Sequence, residues 1–351
     1  MVTPVTSKQD IKSFLLEELV TYFEQNGLAR YIAGQVFNWI YDKRCEEIEA
    51  MSNLSKSTRQ FLKHNFYFST LKLIARQSSC DGSEKLLFGL PDNSRIEAVL
   101  IPERNRYTLC VSSQVGCKYN CTFCLSGASG FRRNLSVSEI VNQYLVSAAI
   151  VKPQAITNIV FMGIGEPLDN FTNLVSAIKI LMSPEGLGLG KRRICVSTCG
   201  LVPQIKKLAA LKLGIKLSIS LHAPSDGLRD KIMPVNKKYP LTELIQAVKE
   251  YSRIEQYPVT FEYALLSRVN TSGACALALA ALLRGLRCKL NLIPYNKSSL
   301  EFHAPDAQEI ADFTATLKKK DIFFTLRKPR GTDINAACGQ LRAIFPAEKE
   351  G

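Results

Sequence analysis

The chain alternates between strand-like and helical hydrophobic periods from residue 107 to residue 327, and this alternation constrains the fold most strongly. The predicted strands lie near residues 107–113, 156–162, 192–198, 215–221, 259–266 and 289–294, with a last strand near 322–327. The predicted helices lie near residues 136–151, 170–182, 203–213, 241–254, 272–286 and 304–319. Six β-α units in succession imply right-handed crossovers and a parallel sheet. Because a closed eight-fold barrel needs two more units, the sequence predicts an α/β fold built on an open, partial (β/α)6 barrel.

Two smaller regions precede this barrel. Apolar residues at helical spacing predict a small N-terminal helical domain over residues 1–70. Residues 71–104 change to strand-like segments separated by turns at residues 80–83 and 91–93, which predicts a short antiparallel β extension. The barrel is expected to occupy residues 105–345, with its functional loops at the carboxyl ends of the strands.

Three cysteines follow the first predicted barrel strand, in residues 116–127, which we call the cysteine loop. Cys117, Cys121 and Cys124 have a C-x3-C-x2-C spacing, and three thiolates this close in sequence can hold a metal ion or an iron-sulfur cluster. They are one ligand short of the four that a cubane cluster or a structural zinc takes. If they bind a 4Fe-4S cluster, one iron keeps an open position for a substrate or cofactor. A zinc site completed by a distant Cys or His is the alternative.

Glycine-rich or polar motifs follow the next predicted strands. Gly165 and Glu166 come after the second strand; glycine lets backbone approach a ligand closely, and a carboxylate accepts hydrogen bonds from an ammonium group. The third and fourth strands end in the polar stretches 197–200 and 220–224, and the sixth runs into Asn296. Taken singly, each motif is typical of a plain turn or a capped strand end. Their joint occurrence after successive strands predicts a binding site at this edge of the sheet.

The charge of the chain favours a polyanionic partner. Its 351 residues include 45 Lys and Arg against 31 Asp and Glu, which gives a net charge of +14 and a pI of about 9.3. The polar start, with acidic residues at positions 10, 17 and 18, lacks the pattern of a signal peptide or organelle presequence. The longest apolar run, Ala274–Leu283, is too short to span a bilayer. The eleven cysteines show no spacing of a small disulfide scaffold, so we expect a reducing cytoplasm.

Cys338 lies near the C-terminus among small residues, in Ala336-Ala337-Cys338-Gly339-Gln340. It has no metal-ligand partner nearby in the sequence, and its small neighbours suit a mobile, reactive thiol. A lone cysteine is more often inert packing, so this residue alone does not decide between the two.

Several motifs together resemble the RlmN/Cfr family of radical S-adenosylmethionine (SAM) RNA methyltransferases. The resemblance runs from roughly residue 10 to residue 342, with every motif in family order. It is most specific in the cysteine loop with Cys110 seven residues before it, and in residues 165–168, 220–224, 232–239 and 336–340. Two residues depart from the family pattern: Cys199 stands where Ser is expected, and Lys297 stands where Pro is more frequent.

This resemblance implies methylation of an adenosine of 23S rRNA at the peptidyl transferase centre. One branch of the family methylates C2, and also acts on adenosine 37 of some tRNAs, whereas the other methylates C8. Residues 165–167 and 327–331 resemble the C2 branch. The implied cofactors are a 4Fe-4S cluster and SAM, two molecules per turnover, with electrons from a donor such as a flavodoxin system. We expect a cytoplasmic monomer with no membrane partner.

Carried over residue by residue, the family implies a role for each thiol. The three loop cysteines would hold the cluster. Cys338 would take a methyl group from one SAM and pass it as a methylene radical to the adenine, because the electron-poor C2 does not attack the methyl group of SAM itself. Cys110 would release the product by attacking the Cys338 sulfur, which forms a transient disulfide, and Glu97 would accept the ring proton.

The family also implies binding residues. The residues expected to bind SAM are Gly165, Glu166, Ser197, Ser220, Leu221, His222 and Asn296. The residues expected to contact RNA phosphates are Arg132, Arg133, Lys191, Arg192, Arg193, Arg327, Lys328 and Arg330. Two alternatives stay open, methylation at C8 and a zinc-stabilised RNA-binding protein without catalysis.

Overall fold

The structure is a computed structural model that describes residues 8–296 and 300–341. Lys297, one of the two departures from the family pattern, lies outside the described residues, as do residues 1–7 and 342–345 of the predicted domains. In the described part of the chain, no helix combines the length and the apolar character needed to cross a bilayer.

The N-terminal region is a small helical unit. It contains β1 (Gln9–Asp10), α1 (Leu16–Gln25), α2 (Arg30–Tyr41), α3 (Lys56–Asn65) and β2 (Phe66–Tyr67), and β1 pairs in parallel with β2. The apolar faces of α1 and α2 bury Phe23 and Phe37 in the same hydrophobic core as the rest of the molecule. Lys12 Nζ donates to Asn142 Oδ1 at 3.0 Å, which joins this unit to the following region.

A ten-stranded sheet organises the remainder of the described chain. Its antiparallel part contains β3 (Lys72–Ser78), β4 (Glu84–Gly89) and β5 (Arg95–Glu103), and β5 pairs antiparallel with the first barrel strand, β6 (Arg106–Cys110). The predicted β extension therefore continues the barrel sheet and brings its own residues beside the end of β6.

The barrel strands follow one another in sequence order. A hairpin of β7 (Gln114–Gly116) and β8 (Phe131–Asn134) encloses α4 (Leu125–Ala128). The later elements are α5 (Val137–Ile150), β9 (Ala155–Phe161), α6 (Phe171–Met182), β10 (Ile194–Thr198), α7 (Val202–Ala210), β11 (Lys216–Ser220), α8 (Asp226–Ile232), α9 (Leu241–Glu255), β12 (Val259–Leu265), α10 (Gly273–Leu283), β13 (Cys288–Pro294), α11 (Ala307–Lys319) and β14 (Phe324–Leu326). β6 and β9 to β14 are parallel neighbours, with β14 and β3 as the outer strands of the described sheet. The predicted open barrel is confirmed.

Two strand boundaries differ from the predicted ones, because the backbone there takes no part in the strand-to-strand hydrogen bonding of the sheet. The first barrel strand ends at Cys110 because Ser112 N donates to Gln143 Oε1 at 2.8 Å and Ser113 N donates to Ile164 O at 2.9 Å. The third strand begins later than predicted, after a 3-10 turn at Lys191–Arg193. The hairpin of β7 and β8 and the short helices α4 and α8 were not predicted, because each is too short to show a hydrophobic period.

Candidate active site

A cavity lies at the carboxyl ends of the barrel strands, where the functional loops were expected. Its wall is formed by the cysteine loop, by residues at the ends of β9 to β13, and by the C-terminal segment, residues 327–341. Leu221, Cys110 and Glu97 do not belong to this wall. The predicted site residues that line the cavity are Cys117, Cys121, Cys124, Gly165, Glu166, Ser197, Ser220, His222, Asn296 and Cys338.

The shape of the cysteine loop is set by a glycine and by backbone hydrogen bonds. Gly116 has φ +76°, and a Cβ at this position would lie 1.7 Å from Gly130 O, so only glycine fits. Cys117 N donates to Gly130 O at 3.0 Å. Thr122 N donates to Ile232 O at 3.0 Å, which seats the loop on the end of α8.

The environment of the loop cysteines favours a positively charged ligand. Burial raises the pKa of Cys117 to about 12, and burial, reinforced by Cys124 and Cys117, raises the pKa of Cys121 well above its usual value. Thiolates at this place therefore need a compensating cation. Within residues 8–296 and 300–341, no group of three or more His, Cys, Asp or Glu side chains is arranged to hold a single metal ion. The three cysteines line one cavity and offer three thiolates, the number of protein ligands that leaves one iron of a 4Fe-4S cluster open.

Gly165 and Glu166 connect the loop after β9 to the end of β10. Gly165 has φ +103°, and a Cβ there would lie 2.5 Å from Gln114 Cβ, so the backbone passes close to β7. Glu166 Oε1 accepts from Leu168 N at 3.0 Å, and its Oε2 accepts from Cys199 N at 2.7 Å. Burial raises the pKa of Glu166. The carboxylate thus joins two strand ends while it lines the cavity.

His222, after β11, is held as a neutral imidazole. It has φ +56°, and its Nδ1 accepts from Ala264 N at 2.8 Å, which leaves the ring hydrogen on Nε2. Burial, followed by the nearby Arg229, lowers the pKa of His222 to about 3. Its ring packs edge to face on Phe123 of the cysteine loop, with centroids 4.8 Å apart. His222 therefore presents a donor to the cavity and supports the cysteine loop.

Arg229, which was not among the predicted site residues, ties the ends of β10 and β11 together. Its fully buried guanidinium donates to the carbonyl oxygens of Cys199, Ser220 and Leu221 at 2.7, 3.0 and 3.1 Å. A fourth hydrogen bond goes to Asn236 Oδ1 at 2.9 Å. These bonds satisfy a buried charge, which is costly without partners. Leu221 contributes its backbone to this arrangement, and its side chain lies in the core.

The C-terminal segment brings Cys338 into the cavity beside the cysteine loop. Leu125 N donates to Gly339 O at 2.9 Å, directly after the third loop cysteine. Ser126 Oγ donates to Leu341 O at 2.6 Å. Cys338 is accessible from the cavity, yet the protein that encloses it raises the pKa of its thiol.

Cys110 lies near Cys338, at the end of β6. It is buried in a small apolar cluster with Val99, Ala336 and Leu341. Burial, followed by the neighbouring Cys338, raises the pKa of Cys110 to about 12. The structure therefore brings the two predicted catalytic thiols together, and burial keeps Cys110 protonated near neutral pH.

The turn between β3 and β4 anchors the other half of the C-terminal segment. Asp333 Oδ1 accepts from Ser79 Oγ at 2.5 Å, and its Oδ2 accepts from Cys80 N at 3.1 Å. These hydrogen bonds lower the pKa of Asp333. Asp81 Oδ2 accepts from Gly331 N at 2.9 Å. Two carboxylates thus hold the segment that carries Cys338.

Glu97 lies near this anchor on β5. It is 1% exposed, unlike most carboxylates on strands, which face solvent. Lys85 Nζ lies 3.5 Å from Glu97 Oε1 and also donates to Asn335 O at 3.5 Å. Glu97 is therefore linked to the C-terminal segment through Lys85.

A second carboxylate in the cavity, Glu262 on β12, was missed by the sequence prediction. It is 5% exposed, and its Oε1 accepts from Asn291 Nδ2 at 3.0 Å and from Ser218 Oγ at 3.3 Å. Its Oε2 has no hydrogen-bond partner among the residues that the structure describes. The signal for it was a charged residue in the middle of a mostly apolar, mostly buried strand.

The basic residues predicted to contact RNA fall into three places. Arg327, Lys328 and Arg330 are exposed on the C-terminal segment, and Arg327 also lines the cavity. Arg132 and Arg133 lie on β8, where Arg133 is paired with Asp92 and Glu139. Lys191–Arg193 precede β10, at the amino ends of the strands and so at the edge opposite the cavity.

Two family models match the chain. The Radical SAM superfamily matches residues 111–272, which include the cysteine loop and the ends of β9 to β12. The ribosomal RNA large subunit methyltransferase N-terminal domain matches residues 9–67, which form the helical unit.

Curated relatives extend the similarity to nearly the full length. The dual-specificity RNA methyltransferase RlmN of Geotalea uraniireducens is 43% identical over 336 residues, which are 95% of this chain and 97% of that protein. The protein of the same name from Pelobacter propionicus is 41% identical over 347 residues, 99% of each chain. The crystal structure of a radical SAM methyltransferase from Sphaerobacter thermophilus, 41% identical, matches with a TM-score of 0.90 over 96% of this chain and 100% of that one. The chain therefore belongs to the RlmN family of radical SAM RNA methyltransferases.

Proposed function

We propose that this chain methylates C2 of a specific adenosine in 23S rRNA at the peptidyl transferase centre, and C2 of adenosine 37 in some tRNAs, through S-methylated Cys338. The name of its relatives, dual-specificity RNA methyltransferase, supports RNA as the substrate. The observation that carries the proposal is that Cys338 shares one cavity with the three loop cysteines, although its segment belongs to the other end of the barrel.

The cofactors of the Radical SAM superfamily, a 4Fe-4S cluster and SAM, fit the cavity residues. Cys117, Cys121 and Cys124 would hold the cluster, because their buried thiolates need a cation. When bound, the cluster and SAM supply the one-electron chemistry that polar methyl transfer to an adenine carbon lacks. The residues assigned to SAM are Gly165, Glu166, Ser197, Ser220, His222 and Asn296, with the backbone at Leu221.

The remaining catalytic assignments follow the arrangement around Cys338. Cys338 would carry the methyl group, since its thiol opens into the cavity. Cys110 would release the product by attacking the Cys338 sulfur, which its position beside Cys338 supports. Glu97 would accept the ring proton, and its pairing with Lys85 near the C-terminal segment supports a charged carboxylate there.

The wider setting rests on the resemblance and on the charge of the chain. We assign RNA phosphate contacts to the exposed Arg327, Lys328, Arg330 and Arg132. Lys191–Arg193 are left out of this assignment because they lie at the edge of the sheet opposite the cavity. We assign residues 1–70 to an RNA-binding accessory domain, residues 71–104 to the β extension and residues 105–345 to the catalytic core. A cytoplasmic monomer that receives electrons from a flavodoxin-type donor completes the proposal.

An anaerobic assay of reconstituted protein with SAM, a reductant and protein-free 23S rRNA or tRNA tests this function. The expected product after RNA digestion is 2-methyladenosine; 8-methyladenosine would overturn the C2 assignment. Cys338→Ala should abolish the product. Cys110→Ala should accumulate a covalent protein-RNA adduct through Cys338, and its absence under turnover conditions would contradict the role of Cys110. Full activity of protein that contains zinc and no iron would overturn the proposal as a whole.

A further inference from the structure

The hairpin that encloses the cysteine loop carries an exposed aromatic ring. Phe131, the first residue of β8, is 39% exposed. A single exposed apolar residue is common on protein surfaces, so the surroundings of Phe131 decide whether the ring has a role.

These surroundings are positively charged. Lys118 Nζ lies 5.6 Å from the centroid of the Phe131 ring, within the range of a cation–π contact. An ion pair with Asp169, at 2.8 Å, fixes this ammonium group while half of the lysine side chain stays exposed. Arg132, the next residue of β8, is also exposed. We call Lys118, Phe131 and Arg132 the hairpin patch.

An irregularity in the hairpin exposes two consecutive side chains. Gly116 pairs with Phe131, and the residue before Gly116 pairs with Arg133, so Arg132 is an extra residue in β8. In a regular strand successive side chains point to opposite faces, whereas a bulge changes their direction. Phe131 and Arg132 are both exposed, while Arg133 is engaged in two ion pairs. The bulge thus leaves a ring and a neighbouring guanidinium accessible to a partner.

The hairpin patch lies beside the cavity. Cys117 and Tyr119, on either side of Lys118, line the cavity wall. Cys117 N donates to Gly130 O at 3.0 Å, which places the start of β8 against the same part of the loop. An enzyme that acts on a base takes that base out of its stack, and the neighbouring nucleotides stay outside the pocket. These nucleotides therefore meet the protein surface around the cavity, where the hairpin patch lies.

We propose that Phe131 stacks on a nucleobase next to the adenosine that enters the cavity, and that Arg132 contacts a phosphate of the same RNA segment. This inference rests on the proposed function, because it needs RNA at the cavity. Unpaired bases stack on aromatic side chains whatever their sequence, and cations beside the ring hold the RNA backbone. The nucleotide that meets Phe131 is accordingly an unpaired one, as in an RNA loop.

The ring distinguishes RNA from the other partner that the cations would attract. An acidic electron-donor protein would be drawn to Lys118 and Arg132 by charge. The exposed face of Phe131 favours RNA, because every nucleobase offers a π-face to it.

Phe131→Leu in the reconstituted holoenzyme tests the stacking contact. The leucine keeps an apolar side chain and removes the aromatic face. Its affinity for unmodified tRNA and for a protein-free 23S rRNA fragment with the peptidyl transferase centre, measured by filter binding without SAM, should fall about tenfold. Phe131→Tyr should keep the affinity of the natural sequence. Equal affinities of Phe131→Leu and the natural sequence would overturn the proposal.

Phe323→Leu is the matched control. Phe323 is 93% exposed and directly precedes β14, at the edge of the sheet opposite the cavity. This variant removes an even more exposed ring from the same chain and should bind both RNAs as the natural sequence does. A tenfold loss in Phe323→Leu as well would mean that exposed rings act without regard to their place, which would overturn the assignment to the hairpin patch.

The salt dependence of binding separates the ring from its charged neighbour. Arg132→Gln should lower the slope of log affinity against log salt concentration by about one, because one phosphate contact is lost. Phe131→Leu should leave this slope unchanged, since a phenyl ring neutralises no phosphate. A reduced slope in Phe131→Leu would assign its effect to a displaced cation and overturn the stacking contact.

A cross-link decides the matter if Phe131→Leu disturbs the cysteine loop, which its iron content would show. UV irradiation of the natural holoenzyme bound to tRNA, followed by digestion and peptide mass spectrometry, should attach a nucleotide to Phe131. Adducts confined to other residues would overturn the proposal. It would also be overturned if Phe131→Leu bound RNA normally and slowed reduction of the cluster by a flavodoxin-type donor, since the hairpin patch would then receive the donor.

The binding assay uses neither SAM nor turnover, so this inference and the proposed function fail separately. If neither RNA is methylated and Phe131→Leu still weakens binding, the proposed methylation is wrong and the RNA contact stands. If the natural sequence and Phe131→Leu methylate RNA with the same KM for RNA, the proposed methylation stands and the stacking contact is wrong.

Discussion

The cysteine loop and the C-terminal segment each bring thiols to the same cavity, but they are held by different forces. In the loop, the backbone sets the shape: Gly116 fits against Gly130 O at a distance that excludes any side chain. The C-terminal segment is irregular, and side-chain carboxylates hold it, with Asp333 bound to the turn between β3 and β4 and Asp81 bound to Gly331. Backbone contacts with α4 complete its attachment.

This difference matches the chemistry proposed for the two parts. A cluster site requires fixed ligands, and a backbone-determined loop provides them. In the proposed function, Cys338 meets SAM, RNA and Cys110 in turn, and an irregular segment held mainly by a few hydrogen bonds can shift without unfolding the barrel. We therefore expect changes in the loop to act all-or-none, and changes in the segment to act gradually.

The largest expected effect comes from Gly116→Ala. A positive φ costs alanine about 1–2 kcal/mol, and the new Cβ would also overlap Gly130 O, so the loop must open. We expect reconstituted protein to bind no iron and its melting temperature to fall.

Gly130→Ala is the matched control. Gly130 also has a positive φ, +71°, but a Cβ there meets nothing within 4 Å. This variant should lose only about 1–2 kcal/mol of stability and keep most of its iron and sulfide. Equal iron content in the two variants would show that the backbone contact does not shape the loop.

The next largest effect is a loss of stability in acid, which we expect to come from His222 beside the cysteine loop. Its folded-state pKa is about 3, below the unfolded value of about 6.5, so the unfolded chain takes up the proton first. The contribution of His222 to stability is complete above pH 6.5 and falls as the pH drops towards 3, by about 2 kcal/mol at pH 5. Urea unfolding at pH 7 and pH 5 should show a larger loss for the natural sequence than for His222→Gln.

Proton NMR of the imidazole signals checks the same point directly. The chain has three histidines, and the exposed His64 and His303 provide references in the same spectrum. The His222 signals should not move between pH 8 and pH 5. A midpoint near 6.5 would mean that its contact with Ala264 N is absent in solution.

A smaller effect is expected from Asp333→Asn in the C-terminal segment. The amide nitrogen cannot accept from Cys80 N or Ser79 Oγ, so one half of the anchor is lost. RNA methylation should fall roughly tenfold because Cys338 is less well positioned, while iron content stays unchanged. Asp321→Asn, at an exposed site outside the segment, should leave both unchanged. Loss of iron in Asp333→Asn would show that the two regions are not independent.

The sequence predicted the barrel well because its strands and helices are long enough to show a hydrophobic period. The three loop cysteines were expected at the carboxyl ends of the strands, where the cavity lies. Cys338, which lines the same cavity, was joined to them only through the family resemblance, because its irregular segment has no hydrophobic period. Glu262 and Arg229 were missed because a single charged residue within a buried strand or helix gives no sign of a function until its hydrogen-bond partners are known. The position of Lys191–Arg193 was also unclear, because the predicted strand began too early and placed Arg192 and Arg193 inside it.

The smallest expected effect concerns Cys199, which stands where the family more often has Ser. Burial, followed by Glu166, raises the pKa of Cys199 well above its usual value, so thiol and hydroxyl are both neutral near pH 7. Cys199→Ser should change the KM for SAM by less than about twofold, because a hydroxyl can replace the thiol beside Glu166. Cys199→Val removes that donor and should weaken SAM binding further, by about 1 kcal/mol. Loss of iron in Cys199→Ser would instead place Cys199 with the loop cysteines, as a residue on which the cluster itself depends.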